Sequence, residues 1–460
     1  MQGKKEHQPQ LFAYVDVEKL IPTGHLLRRI DKVLDLSFIR SETKNLYCAD
    51  NGRPSIDPEV FFRAQLLSYI YDLGGDRQLC EEVRVNIAYR WFVRLALEDE
   101  VFDHSSMTRI RDRLGEEVFK KVFEQIIEQC KKAGLVTARR LLHDASMIDA
   151  DANLGSLVER KNDDPETKKP SHYKERYHDF ATGKKQRKFA NHTHVSSTDP
   201  DATIVSRAGG YRKLCYKGHY TCDAKSRVIT DCHVTTGARH ESQLLAERID
   251  YQLERFGFET EAIAADKAYG NGPNYQYLRS KRITPYIPMV AANTAKEKIP
   301  RSKFAYDRKN DRYICPEQHF MLPFTVLPNG TKRYRVPGKL CLTCPRRQDC
   351  VSEKPSQKIR YIHRGEHQDE VDLIRKRQTT AYFKSKLRER QWKIEGLFGE
   401  AKQNHGLRRA RYRGRQKVQI QAYLIATVQN LKRLATSLKF WLFIFLRRVF
   451  QQALIANKTV

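Results

Sequence analysis

Three acidic residues sit in places where an acid is conspicuous. Asp144 lies inside the short, mostly apolar run LLHDASMI at 141–148, which reads as a buried strand, and a carboxylate there is costly unless something compensates it. Asp266 closes a second small apolar run, AIAADKAYG at 262–270, with a glycine just after it. That is the strand-terminal position at which α/β sheets build their sites. Glu395 lies in RQWKIEGLFGEAKQNHGLRRARYRG at 390–414. Ile394, Leu397, Phe398 and Ala401 recur there as one apolar helical stripe, and Arg388, Gln391, Glu395 and Lys402 share another face beside it. Taken singly, a solvated helix face accounts for Glu395 and a turn-capping role for Asp144.

The residues after Glu395 shift that balance. No Asp or Glu occurs after Glu400, whereas thirteen Lys and Arg do, seven of them between Lys402 and Lys417. A carboxylate opening onto such a basic tail suits a place where a hard metal and a polyphosphate backbone meet. Three carboxylates on one sheet edge would supply oxygen ligands for two Mg²⁺ ions about 4 Å apart, which can activate a water and stabilise a leaving oxygen in phosphoryl transfer.

A second cluster is made of thiols. Cys315, Cys341, Cys344 and Cys350, the last three in CLTCPRRQDC, are four of the ten cysteines. A Cys-x2-Cys pair with two further thiols can form a tetrahedral structural Zn²⁺ site, with His319 as a substitute ligand. The other reading is four unpaired core thiols. The polar, broken texture of the surrounding segment favours metal.

The elements that would position these groups are spread along the whole chain. Residues 1–137 read as helical. Asp57 and Pro58 form an N-cap and first-turn proline before an apolar-periodic run that Gly74 and Gly75 stop. Another helix starts near Asp76, and one at 104–106 carries Arg109 and Arg113 before a break at Gly115 and a long amphipathic helix ending at Gly134. Short helices with exposed arginines fit a DNA-reading module, or a helical scaffold with a solvated face. Residues 156–214 read as loop-rich and basic. Residues 216–223 and 227–235 read as a β-hairpin about 224–226, 241–256 as a helix, 274–281 as a short helix and 283–289 as a strand. The order of Asp strand, hairpin, helix, Asp strand, helix, strand and Glu helix is that of an RNase H-like mixed sheet. Residues 416–438 read as an amphipathic helix with Val418, Leu424, Leu431, Leu434 and Leu438 on or near one stripe.

Composition narrows the partners. A net charge of +29 and a pI near 9.7 in a 460-residue, 40% hydrophobic chain point to a globular protein with a polyanionic partner, nucleic acid before membrane. The longest apolar run, 440–446, is too short for a span of about 20 residues, so no membrane partner is expected. The chain opens on a polar segment without a secretory signal, and its scattered cysteines suit a reducing cytosol.

Asp144 in LLHDASMIDAD, Asp266 in IAADKAYGN and Glu395 in IEGLFGEAK, with Lys402 and the later RYRG, together resemble the DDE transposases of bacterial insertion sequences, in the branch with a helical N-terminal domain and a cysteine-bearing insertion. Many of these enzymes carry Tyr and Arg seven and four residues before the glutamate. Arg388 and Gln391 stand there instead, and no role is carried over to them. The resemblance implies an α/β fold: an RNase H-like mixed-sheet catalytic core with an all-helical N-terminal domain and a small zinc-binding insertion. It implies hydrolysis of phosphodiesters at the ends of the chain's own element, then attack of the freed 3′ hydroxyl on target DNA. Asp144, Asp266 and Glu395 would hold two Mg²⁺ or Mn²⁺ ions, and Lys402 would contact DNA near the scissile phosphate. Arg408, Arg409, Arg411 and Arg413, with Arg109 and Arg113 on the N-terminal helices, are the further expected DNA contacts.

Expected partners are the element's terminal inverted repeats, target DNA and further copies of the chain, as a homodimer or higher oligomer on DNA in a nucleoid-associated, cytoplasmic setting. The expected segments are a helical DNA-binding domain (1–137), the first part of the core (138–289), the insertion (290–371), the second part of the core (372–438) and a C-terminal helix (439–460). Two rivals stand beside this reading: a nuclease of the same fold that never joins strands, and a non-catalytic DNA-binding descendant. Acids at all three positions disfavour the second.

Overall fold

The computed structural model describes residues 15–48, 50–52, 55–160, 190–206, 212–289, 299–328, 330–337, 340–351 and 359–437. The expected C-terminal helix at 439–460, the apolar run at 440–446, and much of the basic stretch at 156–214 lie outside them. The chain divides into two compact units, one of Met1–His240, Tyr251–Glu259 and Gln391–Val460, the other of Glu241–Asp250 and Thr260–Arg390.

Among the described residues of the first unit seven α-helices come before any strand: α1 (Val17–Leu20), α2 (Leu26–Asp31), α3 (Ile39–Thr43), α4 (Pro58–Ile70), α5 (Asp76–Val85), α6 (Ile87–Phe92) and α7 (His104–Lys132). The expected start signals operate: Asp57 accepts from the Glu59 N–H at 2.7 Å, and Pro58 sits in the first turn of α4. Gly115, at φ 64°, breaks α7 in the left-handed region where glycine carries no Cβ penalty. Phe61, Phe62 and Phe119 pack edge-on or tilted between α4 and α7, with centroids 5.1 to 6.3 Å apart.

The strands come next. β1 (Arg140–Asp149) pairs antiparallel with β5 (Arg212–Asp223), while β4 (Thr203–Ser206) and β6 (Ile229–Thr236) pair with β5 in succession along its other edge. A short ribbon joins β2 (Leu157–Glu159) to β3 (His194–Ser196), which comes after α8 (Ala190–Thr193). Asp223 builds the β5–β6 turn: Oδ1 accepts from the N–H groups of Lys225 and Ser226, both at 2.8 Å. After α9 (Leu245–Phe256), the unit resumes at the end of α13 (Ala381–Asn404) and in α14 (Arg415–Thr436).

α14 is not amphipathic as expected: every residue from Val418 to Leu431 is buried, polar ones included. Its amides satisfy backbone groups that would otherwise be orphaned. Gln419 accepts from Val234 N–H at 2.5 Å and donates to Cys232 O at 3.0 Å, and Asn430 accepts from Ile229 N–H and donates to Ile229 O at 2.7 and 2.8 Å. The edge of β6 is thus closed by side chains of a helix rather than by another strand.

The second unit holds a βαβ piece: β7 (Ala262–Ala264) and β8 (Thr284–Tyr286) are parallel, with α10 (Gly272–Ser280) between them in sequence. It also holds an antiparallel sheet in the order β13-β12-β11-β10-β9, built from β9 (Ala305–Asp307), β10 (Arg312–Ile314), β11 (Phe320–Val326), β12 (Lys332–Arg335) and β13 (Ile362–Arg364). One face of this sheet makes a core of Phe304, Tyr313, Met321, Tyr334, Val336 and Ile362. α11 (Arg347–Cys350) and α12 (Gln368–Arg377) complete the unit before α13. The fold is thus mixed α/β with a helical N-terminal region, as expected. Among the described residues no helix is long and apolar enough to cross a membrane.

Candidate active site

Asp144 stands at mid-strand in β1, half-buried, after the buried Leu141, Leu142 and His143. His143 is anchored through Nδ1 to Thr221 Oγ1 at 2.8 Å. The Cα partner of Asp144 on β5 is Tyr220, so the two side chains leave the sheet on the same side. Tyr220 is fully buried and packs its ring on Phe398 of α13, with centroids 5.0 Å apart. Asp144 therefore shares a sheet face with the helix that carries Glu395.

That helix is fastened as its apolar stripe demands. Ile394, Leu397 and Ala401 are fully buried and Phe398 nearly so. Gln429 of α14 donates to Leu397 O at 3.0 Å, and the Lys393 ammonium donates to Ala224 O in the hairpin turn. Beyond the helix the chain returns to β1: Asp149 N–H donates to Arg408 O at 3.0 Å and Ala410 N–H to Asp149 O at 2.8 Å. The helix of Glu395 is thus tied to the β5–β6 turn, and the chain just past it to the C-terminal end of β1.

Glu395 is exposed, and its carboxylate makes no hydrogen bond or ion pair among the described residues. Glu400, five residues on, is the opposite. It takes Arg433 at 2.9 Å and Lys432 at 3.2 Å, with the buried His405 at 3.6 Å. Burial pushes its carboxyl up, but His405, Arg433 and Lys432 together outweigh that and hold it well below the usual carboxylate range.

Asp266, in the second unit, lies two residues past β7 and caps the 3-10 turn Lys267–Tyr269, Oδ1 accepting from Ala268 N–H. The glycine of this motif is required by packing: a Cβ on Gly270 would meet Pro288 O at 2.3 Å and the Tyr275 hydroxyl at 2.7 Å. Tyr269 is buried, and Asn274 donates to its carbonyl at 2.9 Å.

The basic segment after α13 divides by direction. Arg411 points inward: it reaches Asp72 at 2.7 Å and Ser68 Oγ at 3.0 Å and lies over the Tyr69 ring at 4.2 Å. Arg409 and Arg413 are exposed and share Asp151, at 2.7 and 3.2 Å. Arg415 faces Glu116 at 3.8 Å and Lys417 faces Asp112 at 2.8 Å. Arg408 is exposed with no acidic partner among the described residues, and Lys402 is half-buried. On α7, Arg109 is exposed and Arg113 lies over the Tyr47 ring at 4.9 Å. Between them Arg111 is buried on Asp76, at 2.7 Å.

Cys315, Cys341, Cys344 and Cys350 line one small cavity of 30 Å³ together with His319. Burial raises the thiols of Cys341 and Cys350, and neighbouring cysteines add to it. The cysteines are thus gathered, but not as a preformed ligand cage: among the described residues no group of three or more His, Cys, Asp or Glu is arranged to hold a metal ion. The supporting acids Glu400, Asp149 and Asp151 escape sequence reasoning. The one signal for the latter two is their spacing in DASMIDAD, within one strand and its exit.

Two family models match the chain. Residues 15–113 match a model described as "Transposase domain (DUF772)" and residues 314–435 one described as "Transposase DDE domain". The second spans Glu395, Lys402, the basic segment and all four gathered cysteines, while Asp144 and Asp266 lie outside both. No curated protein matches the chain. Among solved structures, a piggyBac transposase synaptic complex with hairpin DNA is similar at 10% identity, over 88% of this chain and 71% of that one, with a TM-score of 0.34. The Mos1 transposase paired-end complex with left transposon end is similar at 12% identity, over 52% of this chain and 62% of that one, with a TM-score of 0.17.

Proposed function

We propose that this chain, a DNA transposase of the DDE class by the two transposase domains it carries, cuts phosphodiesters at the ends of its own insertion sequence and joins the freed 3′ ends to target DNA. The observation that carries this reading is the pair Asp144 and Glu395: strand and helix are packed together through Tyr220 and Phe398, and Glu395 is left unpaired in a chain of net charge +29. Asp266 is the third acid, a hard oxygen donor at a strand exit whose turn is fixed by Gly270.

Asp144, Asp266 and Glu395 are the groups that would hold Mg²⁺ or Mn²⁺; oxygen donors suit these ions. Two such ions, when bound, lower the pKa of an attacking water and offset charge on the phosphoryl oxygens. The chain's own cations do the rest. Lys402 lies two turns from Glu395 on the same helix and would hold the phosphate next to the cut, while Arg408, Arg409 and Arg413 would bind flanking backbone. Arg109 and Arg113 would contact DNA from the helical segment at 1–137, ahead of the core at 138–289 and 372–438 and the insertion at 290–371. The working form is a homodimer or higher oligomer on the terminal repeats.

The four cysteines suit a structural Zn²⁺ by donor chemistry, soft thiols around one cavity. Folded protein is expected to hold about one zinc per chain, lowered by Cys341→Ser with Cys344→Ser. Folded protein free of zinc refutes this assignment.

The reading as a whole is tested by incubating purified full-length protein and Mg²⁺ with duplex DNA carrying the element's ends and a labelled target. Cleaved 3′ ends and joined products are expected. Cleavage without joining would make it a nuclease, and binding without either would make it a non-catalytic DNA-binding protein.

A further inference from the structure

The five-stranded sheet of the second unit has one face in the core and one face in solvent, and the solvent face is not an ordinary polar surface. Along β11, Met321 is fully buried, whereas Phe320, Leu322 and Phe324 are 47, 44 and 48% exposed. Phe320 and Leu322 alternate with Met321 as on a strand whose outward residues are apolar, and Phe324 follows them at a bulge between Pro323 and Thr325. The neighbouring strands place arginines over this row. The Arg312 guanidinium lies 3.7 Å from the Phe320 ring centroid, Arg335 lies 3.6 Å from Phe324, and Arg333 lies 4.2 Å from Tyr361, whose ring is 6.4 Å from Phe324. Arg333 and Arg335 have no acidic partner among the described residues, and Arg333 Nε is buried without a hydrogen-bond acceptor. Leu322 faces Arg335 directly across the β11–β12 ladder.

We propose that this face is a platform for the unpaired bases of single-stranded DNA. Exposed rings in a row offer stacking surfaces that a duplex cannot use, because its bases are already stacked on one another. Arg333 and Arg335 stand where the phosphate next to a stacked base would pass, while Arg312, over Phe320, is paired with Asp307 at 2.9 Å. A second copy of the chain is a poorer occupant, since a two-fold contact would bring the same arginine row against itself. The inference deepens the transposase reading and rests on it: strand cutting and transfer create unpaired ends.

The test measures binding of the full-length protein to a labelled 20-nucleotide oligothymidine and to a blunt duplex of equal length, at one salt concentration. Phe320→Ala with Phe324→Ala is expected to weaken single-strand binding roughly 30-fold, as the removal of two stacking rings implies. Duplex binding should change less than about twofold and the melting temperature should not move, both residues being exposed. Phe320→Tyr with Phe324→Tyr should retain single-strand binding. Unchanged single-strand binding in the alanine variant overturns the proposal, as does an equal loss on both DNAs. Unchanged binding with a shift of the solution mass toward monomer overturns it in favour of a second copy. Wild-type protein that binds duplex but not single strands overturns this inference alone, whereas wild type that binds neither removes the transposase reading with it.

Discussion

Glu395 and Glu400 lie five residues apart on α13, and their surroundings differ as much as those of two carboxylates on one helix can. Glu400 is held by Arg433 and Lys432 of α14, with His405 beside it. Glu395 is exposed and unpaired. The contrast teaches what an acid is for in a strongly basic chain. Glu400, which fastens two helices, is surrounded by the protein's own cations, whereas Glu395, the proposed metal ligand, is paired with none of them.

Removing the fastening acid should have the largest effect on stability. Glu400→Gln leaves Arg433, Lys432 and His405 without their anion, and the variant is expected to lose about 2 to 4 kcal/mol, the lower part of this range allowing for partial exposure. Chemical denaturation measures this. Glu395→Gln should leave stability within about 0.5 kcal/mol of wild type. If the two variants melt together, the contrast fails.

The same pair responds differently to pH. The Glu400 carboxyl is held below its ordinary range in the folded protein, so its stabilisation is complete above the unfolded value of about 4.3 and is lost as pH falls below it. The melting-temperature gap between wild type and Glu400→Gln should therefore narrow from pH 6 toward pH 3. A gap that widens on acidification would reverse the assigned direction.

The arginines repeat the division at smaller scale. Arg411→Ala removes its bonds to Asp72 and Ser68 and its cover of the Tyr69 ring, and should cost about 1 to 3 kcal/mol of stability without altering the salt dependence of DNA binding. Neutralising Arg408, Arg409 and Arg413 should do the reverse, flattening the slope of log affinity against log salt by roughly 0.9 for each phosphate that is no longer neutralised. Filter binding at several salt concentrations separates the two sets.

Local signals were the legible ones. Asp57 and Pro58 start α4, Gly115 breaks α7, the hairpin turns about 224–226, and the apolar runs around Asp144 and before Asp266 are strands. The sheet at 305–364 was not legible, because most of its strands are three or four residues long and carry arginine on the outer face, so no alternating apolar pattern accumulates. α14 misled for a related reason. Gln419, Gln421, Gln429 and Asn430 suggest a wet face, but each is buried and donates a hydrogen bond to a backbone carbonyl. The acidic partners of Arg409, Arg411 and Arg413 lie 258 to 339 residues away in sequence, where no local pattern reports them.

The most direct measurement compares strand cleavage in Mg²⁺ by wild type, Asp144→Asn, Asp266→Asn and Glu395→Gln on DNA carrying the element's ends, with Glu400→Gln assayed at a temperature where it remains folded. The account predicts that the first three variants lose cleavage by orders of magnitude while keeping fold and DNA binding, and that Glu400→Gln keeps most of its activity. Near wild-type cleavage by any one of the three would contradict that residue's role as a metal ligand.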